Sequence, residues 1–138
     1  MKYFTIDELT RSMTALTKGI DNTPGEGAKA NLTALVERIL DPLRTVYGKP
    51  IHINSGYRCA ALNKAVGGTS SSQHLTGQAA DITSGSRSEN KKLFTLIQTL
   101  DLPYDQLIFE KGSKTEGPDW VHVSFDPKRN RRQTLWLV

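Results

Sequence analysis

Two histidines and one aspartate hold the most chemistry in this sequence. His74 and Asp81 lie in the run Ser72-Gln73-His74-Leu75-Thr76-Gly77-Gln78-Ala79-Ala80-Asp81, and His122 lies in Asp119-Trp120-Val121-His122-Val123-Ser124-Phe125. Two imidazoles and a carboxylate can bind Zn²⁺ through three ligands and leave a fourth position open, the pattern of catalytic rather than structural zinc. One carboxylate cancels only part of the ion's charge, and the residue of that charge can acidify water to a pKa of about 7. The spacing of His74 and Asp81 is not that of a helical ligand pair. It suits one ligand at a loop tip and another on the strand that follows, with Gly77 permitting a sharp turn or a close backbone approach. His122 would come from a neighbouring strand. Taken singly, each of the three also reads as an ordinary hydrogen-bonded polar residue. Asp81 resists that reading most, because a carboxylate in the apolar setting Ala79-Ala80-Asp81-Ile82 is costly to bury without a cation or donors.

Other residues could complete such a site. Asp119 precedes His122 by three positions, which in an extended strand would put the two on opposite faces. Asp119 is therefore expected in the turn before the strand, where it serves either as a general base or as a surface turn residue after Pro118. Glu110, closing the apolar run Leu107-Ile108-Phe109, is the rival base; its plainer readings are an exposed strand end or a partner holding a ligand histidine. Arg58, in Ser55-Gly56-Tyr57-Arg58, can grip a substrate carboxylate bidentately or stabilise an oxyanion, or sit in a structural ion pair. Ser72 can hydrogen-bond within the ligand loop or be a plain turn serine. Tyr57 is a candidate for substrate contact, although Tyr57, Trp120 and Trp136 read first as core residues. His52 reads as a partly exposed strand residue and Cys59 as a small buried apolar group; no local signature supports a Cys59–His nucleophilic pair.

The elements that must position these groups are legible from capping signals and periodicity. Thr5-Ile6-Asp7-Glu8 predicts a capping box opening a helix to about Lys18. Thr23-Pro24-Gly25-Glu26 repeats the signal, with Pro24 suited to the first helical position. Leu32, Leu35, Val36, Ile39, Leu40, Leu43, Val46 and Tyr47 then fall on one helical face. Pro42 predicts a kink, or a second helix capped by Asp41, and Gly48 with Pro50 ends the segment. Strands are predicted at 51–54, 78–83, 106–110, 120–125 and 134–138. Short helical signals cover 59–66, a polar loop covers 69–77, and Ser86-Arg87-Ser88-Glu89 opens an amphipathic helix through Leu93, Phe94, Leu96, Ile97 and Leu100. Helices first and antiparallel strands later argue for an α+β fold.

With 138 residues the chain is long enough for one domain, 1–138, with a real core. The single cysteine excludes an intrachain disulfide and any cysteine-rich metal site. The net charge of +4 owes much to Lys128, Arg129, Arg131 and Arg132. That cluster is either a patch for a polyanion or a solvated chain end; no nucleic-acid-binding motif accompanies it, and nucleic acid is not an expected partner. The start of the chain carries acids where a signal peptide needs an apolar stretch. No apolar run approaches the ~20 residues that span a bilayer.

Taken together, Ser55-Gly56-Tyr57-Arg58, Ser72-x-His74-x-x-Gly77-x-Ala79-x-Asp81 and Trp120-Val121-His122-Val123-Ser124 resemble the zinc D-Ala-D-Ala carboxypeptidase and L-alanyl-D-glutamate endopeptidase family. The resemblance runs from about Ile51 to Phe125. It implies zinc held by His74, Asp81 and His122, a substrate-gripping Arg58, and an acidic base three residues before the last ligand, which Asp119 matches, with Glu110 as the rival. It implies an α+β fold, a small antiparallel sheet with N-terminal helices packed on it, as also found in the Hedgehog signalling domain. The expected function is hydrolysis of peptide bonds in peptidoglycan stem peptides by a monomer without membrane insertion. Synthesis in the cytoplasm without a signal peptide, and action on the wall after release, would suit a phage or prophage lysin. The alternative is a zinc-stabilised domain that binds peptidoglycan or a protein without turnover.

Overall fold

The computed structural model describes all residues, 1–138. Two short helices, α1 (Ile6–Thr10) and α2 (Met13–Lys18), come first. The helix predicted to run through to Lys18 is thus divided: Arg11 is extended, and Ser12 caps the second piece by accepting from the Ala15 N–H. Next come α3 (Glu26–Leu35), a π-helical turn (Val36–Leu40) and α4 (Asp41–Tyr47), which run on without a break. The wide turn sits immediately before Pro42, whose ring and missing N–H disrupt ordinary helical bonding. Asp41 does not cap a helix there, because its carboxylate accepts the backbone N–H groups of Lys2 and Tyr3. Nor does Thr23 cap α3. Its hydroxyl donates to Asp21, Gly25 takes the cap position, and Pro24 stays outside the helix.

Five strands follow the helical N-terminus, interrupted by three helical segments: β1 (His52–Ser55), α5 (Ala60–Ala65), a 3₁₀ turn (Gln73–Thr76), β2 (Ala79–Thr83), α6 (Arg87–Thr99), β3 (Gln106–Glu110), β4 (Trp120–Ser124) and β5 (Gln133–Leu137). The strands form one sheet in the order β1-β2-β4-β3-β5. Three of its pairings are antiparallel. The fourth is parallel, because β5 returns alongside β3 in the same direction, so the expected antiparallel sheet has a parallel edge.

Side chains alternate between the faces of a strand, and the two faces here have different work. Ala80, Ile82, Leu107, Phe109, Val121 and Val123 point into the core, where they meet Leu32, Leu35, Val36, Ile39, Leu40 and Leu43 of the helical stretch and Leu93, Phe94 and Ile97 of α6. At about 1.5–3 kcal/mol for each large apolar side chain removed from water, this face supplies the main drive for folding. Val46 and Trp136, read from sequence as core positions, are instead about half exposed. Trp136 lies on the edge strand and touches only the rim of the core through Phe94. No helix is long and apolar enough to cross a membrane.

Candidate metal centre

The opposite face of the sheet carries the polar residues. Asp81 on β2 and His122 on β4 are direct cross-strand partners, and Ile108 on β3 is the next partner of His122. Such pairs stand side by side on one face. His74 arrives from the 3₁₀ turn, where Ser72 caps the turn and accepts the His74 backbone N–H at 3.2 Å. Gly77 ends the turn in the left-handed region at φ +76, and a Cβ there would lie 2.5 Å from the Ala28 carbonyl oxygen. The turn can therefore pack this closely on α3 only with glycine at that position.

The three side chains converge. Their ligand atoms lie within 4.8 Å of one another. His74 Nε2 is 3.4 Å and His122 Nδ1 2.9 Å from the same oxygen, Asp81 Oδ1. The other ring nitrogen of His74, Nδ1, donates to the Gly56 carbonyl oxygen at 2.6 Å, which fixes the tautomer and frees Nε2 as a ligand. Gly56 can make this contact because it has no side chain: a Cβ would fall 2.2 Å from the Leu9 carbonyl oxygen. Burial pushes the Asp81 carboxyl up, but the hydrogen bond from His122 and the close approach of His74 outweigh this and leave it below the ordinary carboxylate range. A buried carboxylate and two imidazoles with their free nitrogens turned to one point suit a divalent cation, and this His₂Asp set fits zinc.

Arg58 stands beside this centre. Its Nη2 is 3.6 Å from Asp81 Oδ2, Nε donates to Ser55 Oγ at 3.0 Å, and Nη1 donates to Asn63 Oδ1 at 3.1 Å. Ser55 is itself the β1 partner of Asp81, reached through an irregularity in the β1–β2 register. A cleft of about 640 Å³ opens over the centre and is lined by Arg58, Ser72, Gln73, Glu110 and His122, among others.

The two candidate bases are separated by strand alternation. Glu110 shares the face of His122 and Asp81 and lines the cleft. Burial raises its pKa, and the negative charge of Asp81 raises it further against the histidines and Lys111. Asp119 lies outside this group. It is just before β4, and its carboxylate accepts from Arg87 Nε at 2.9 Å at the start of α6. Asn90 of the same helix donates to the Asp119 carbonyl, so the residue is turned toward the helix side of the sheet. Tyr57 is not brought into the cleft either: it packs against the core, and its backbone bonds Leu9 and Asn22. Cys59 caps α5, with Sγ accepting the Leu62 N–H, and is partly exposed rather than buried.

The model of the family described as Peptidase M15 matches residues 2–124. The chain belongs to this family. Over 84 residues it is 33% identical to the zinc D-Ala-D-Ala carboxypeptidase of Streptomyces albus G, an alignment covering 61% of this chain and 32% of that protein. The match therefore spans only about a third of that relative's length. In this M15 chain, three supporting residues were invisible to motif reading. Asn63 is almost fully buried and links Arg58 to the Thr69 carbonyl; a polar residue on the buried side of a short helix was the available signal. Gln73 and Asp105 join across the cleft wall at 2.9 Å, and nothing in their local sequence announces it.

Proposed function

We propose that this chain is a zinc metallopeptidase that hydrolyses amide bonds in peptidoglycan stem peptides. The observation that carries the reading is the meeting of His74, Asp81 and His122 beside a cleft whose lining includes His122, Arg58 and Glu110. His74 Nε2, His122 Nδ1 and Asp81 Oδ1 would hold the ion. Zinc there supplies a Lewis acid for the scissile carbonyl and lowers the pKa of water. Glu110 acts as general base: its carboxylate takes a proton from the attacking water and returns it to the leaving amine. Burial raises its proton affinity, which suits a group that must take up a proton from water. Arg58, held by Ser55 and Asn63, donates to the oxygen on which negative charge develops. Ser72 and Gly56 keep His74 at its angle. The bond cut is either the terminal D-Ala-D-Ala link, as in the name of the Streptomyces relative, or an internal stem-peptide bond.

Mass spectrometry of purified sacculi digested with and without a chelator tests this directly. Peptide products are expected only with metal present, and their masses identify the bond. His74→Ala and Asp81→Ala should lose bound zinc and product release together. Cleavage that survives in a metal-free variant would refute the mechanism.

A further inference from the structure

The basic cluster near the end of the chain has divided fates. Arg131 is committed: Nε donates to Asp105 Oδ1 at 2.8 Å, Nη2 to Oδ2 at 3.1 Å, and its backbone N–H to Oδ1 at 3.0 Å. Arg132 pairs with Asp101. Lys128 is exposed and lies outside the cleft lining. Arg129 lines the cleft with Arg58, Glu110 and His122, and no carboxylate lies within ion-pair distance of it. Asp126, the other acid on that wall, accepts the Lys128 backbone N–H at 2.9 Å through Oδ1. Of the three arginines facing the cleft, Arg58 stands against Asp81 and Arg131 against Asp105. Arg129 alone has its charge uncommitted.

The loop presenting Arg129 is held firmly. Asn130 accepts the Asp126 N–H and donates back to the Asp126 carbonyl, each at 2.9 Å. Asp105, almost fully buried, binds Arg131 on one side and Gln73 Nε2 on the other at 2.9 Å. Gln73 adjoins His74. A single carboxylate thus ties the Arg129 loop to the loop that carries a metal ligand, so the uncommitted cation keeps a fixed position relative to the centre.

We propose that Arg129 is a specificity residue that receives a free carboxylate of the stem peptide, away from the scissile carbonyl. The inference rests on the peptidase reading. A guanidinium binds a carboxylate through two parallel N–H bonds and gains no comparable contact from the corresponding amide. Stem peptides carry such groups on D-glutamate and at the C-terminus, and amidation removes either charge without changing the chain length.

The test uses L-Ala-γ-D-Glu-L-Lys-D-Ala-D-Ala and two amides of it, one at the D-Glu α-carboxyl and one at the C-terminus. On the free peptide, Arg129→Gln should raise KM about three- to tenfold, the range for a partly exposed charge-assisted pair, with kcat little changed. On one of the two amides wild type and variant should coincide, which identifies the carboxylate. Arg129→Lys should recover part of the loss, and Lys128→Gln should behave as wild type. Equal losses on all three peptides, or none on any, overturn the assignment. If the zinc-loaded wild type cuts none of them, the peptidase reading fails, and calorimetric binding still decides the subsite. Tighter binding of the free peptide that disappears in Arg129→Gln keeps the subsite; no preference removes it.

Discussion

Exchanging the two candidate acids gives the sharpest test of which face of the sheet does the chemistry. Glu110→Gln removes the carboxylate that shares the cleft with His122 while keeping its shape, and Asp119→Asn removes the one bound to Arg87. Loss of a positioned general base lowers kcat by about 10²–10⁴-fold, which at 1.36 kcal/mol per decade is roughly 2.7–5.5 kcal/mol of barrier. The Asp119–Arg87 pair has side chains 42% and 46% exposed, so its loss should cost only about 0.2–1 kcal/mol of stability and leave kcat unchanged. Both variants should bind zinc as the wild type does. A second readout follows from the raised pKa of Glu110. Burial disfavours its charged form in the metal-free protein, so the stability contributed by its protonated form is present below the ordinary glutamate value of 4.5 and is lost as pH rises through the folded value. The uncharged amide introduced by Glu110→Gln would keep that contribution at every pH. Metal-free Glu110→Gln should therefore melt higher than wild type at neutral pH. The assay is single-substrate kinetics on a synthetic stem peptide, with metal content measured on the same samples and thermal melts after chelation. Full activity in zinc-loaded Glu110→Gln, or a hundredfold loss in Asp119→Asn with zinc retained, would show the assignment of the base to be wrong.

Two further outcomes follow from the supporting geometry. Gly56→Ala would set a Cβ 2.2 Å from the Leu9 carbonyl oxygen and displace the acceptor of His74 Nδ1; it should cost about 1–3 kcal/mol in urea unfolding and weaken zinc about 10–100-fold in a chelator competition. Asp105 is held at about 2, below the ordinary 3.8, chiefly by its hydrogen bond from Arg131, so its contribution to stability is complete above 3.8 and is lost as pH falls toward 2. Asp105→Asn should flatten that acid limb in pH-dependent melts, and an unchanged limb would place the acid lability elsewhere.

The clustering of His74, Asp81 and His122 was legible because chemistry constrains it twice. Asp81 is a charge among alanines and His122 a polar residue within an apolar strand, and both are anomalies unless something on that face needs them. The strands, α6 and the capping boxes at Thr5 and Ser86 were legible for the ordinary reason that local bonding decides them. What escaped was set by distant partners. Asp41 was taken by the N-terminal backbone, and β5 found a parallel neighbour that no turn signal specifies; Thr23, by contrast, lost its cap role to a near neighbour, Asp21. The same holds at the site. Spacing alone left Asp119 and Glu110 as alternatives, and it could not show that Asp119 pairs with Arg87, thirty-two positions away, while Glu110 lines the cleft.

That division has a physical logic. A half-buried sheet cannot hold His74, Asp81, His122 and Glu110 together by apolar packing, because each would be cheaper in water. The core face supplies the stability, and the polar face uses it to hold groups that gain little from folding alone. Without metal, Asp81 is compensated by the hydrogen bond from His122 and by His74 and Arg58 within ion-pair distance. Glu110 has no such partner, and burial together with the nearby charge of Asp81 raises its pKa. On the proposed mechanism, the one acid on this face without a scaffold partner is thus the one that would exchange a proton with substrate. A residue fully paired by the scaffold, as Asp119 is by Arg87, would first have to break that pairing before it could act as a base.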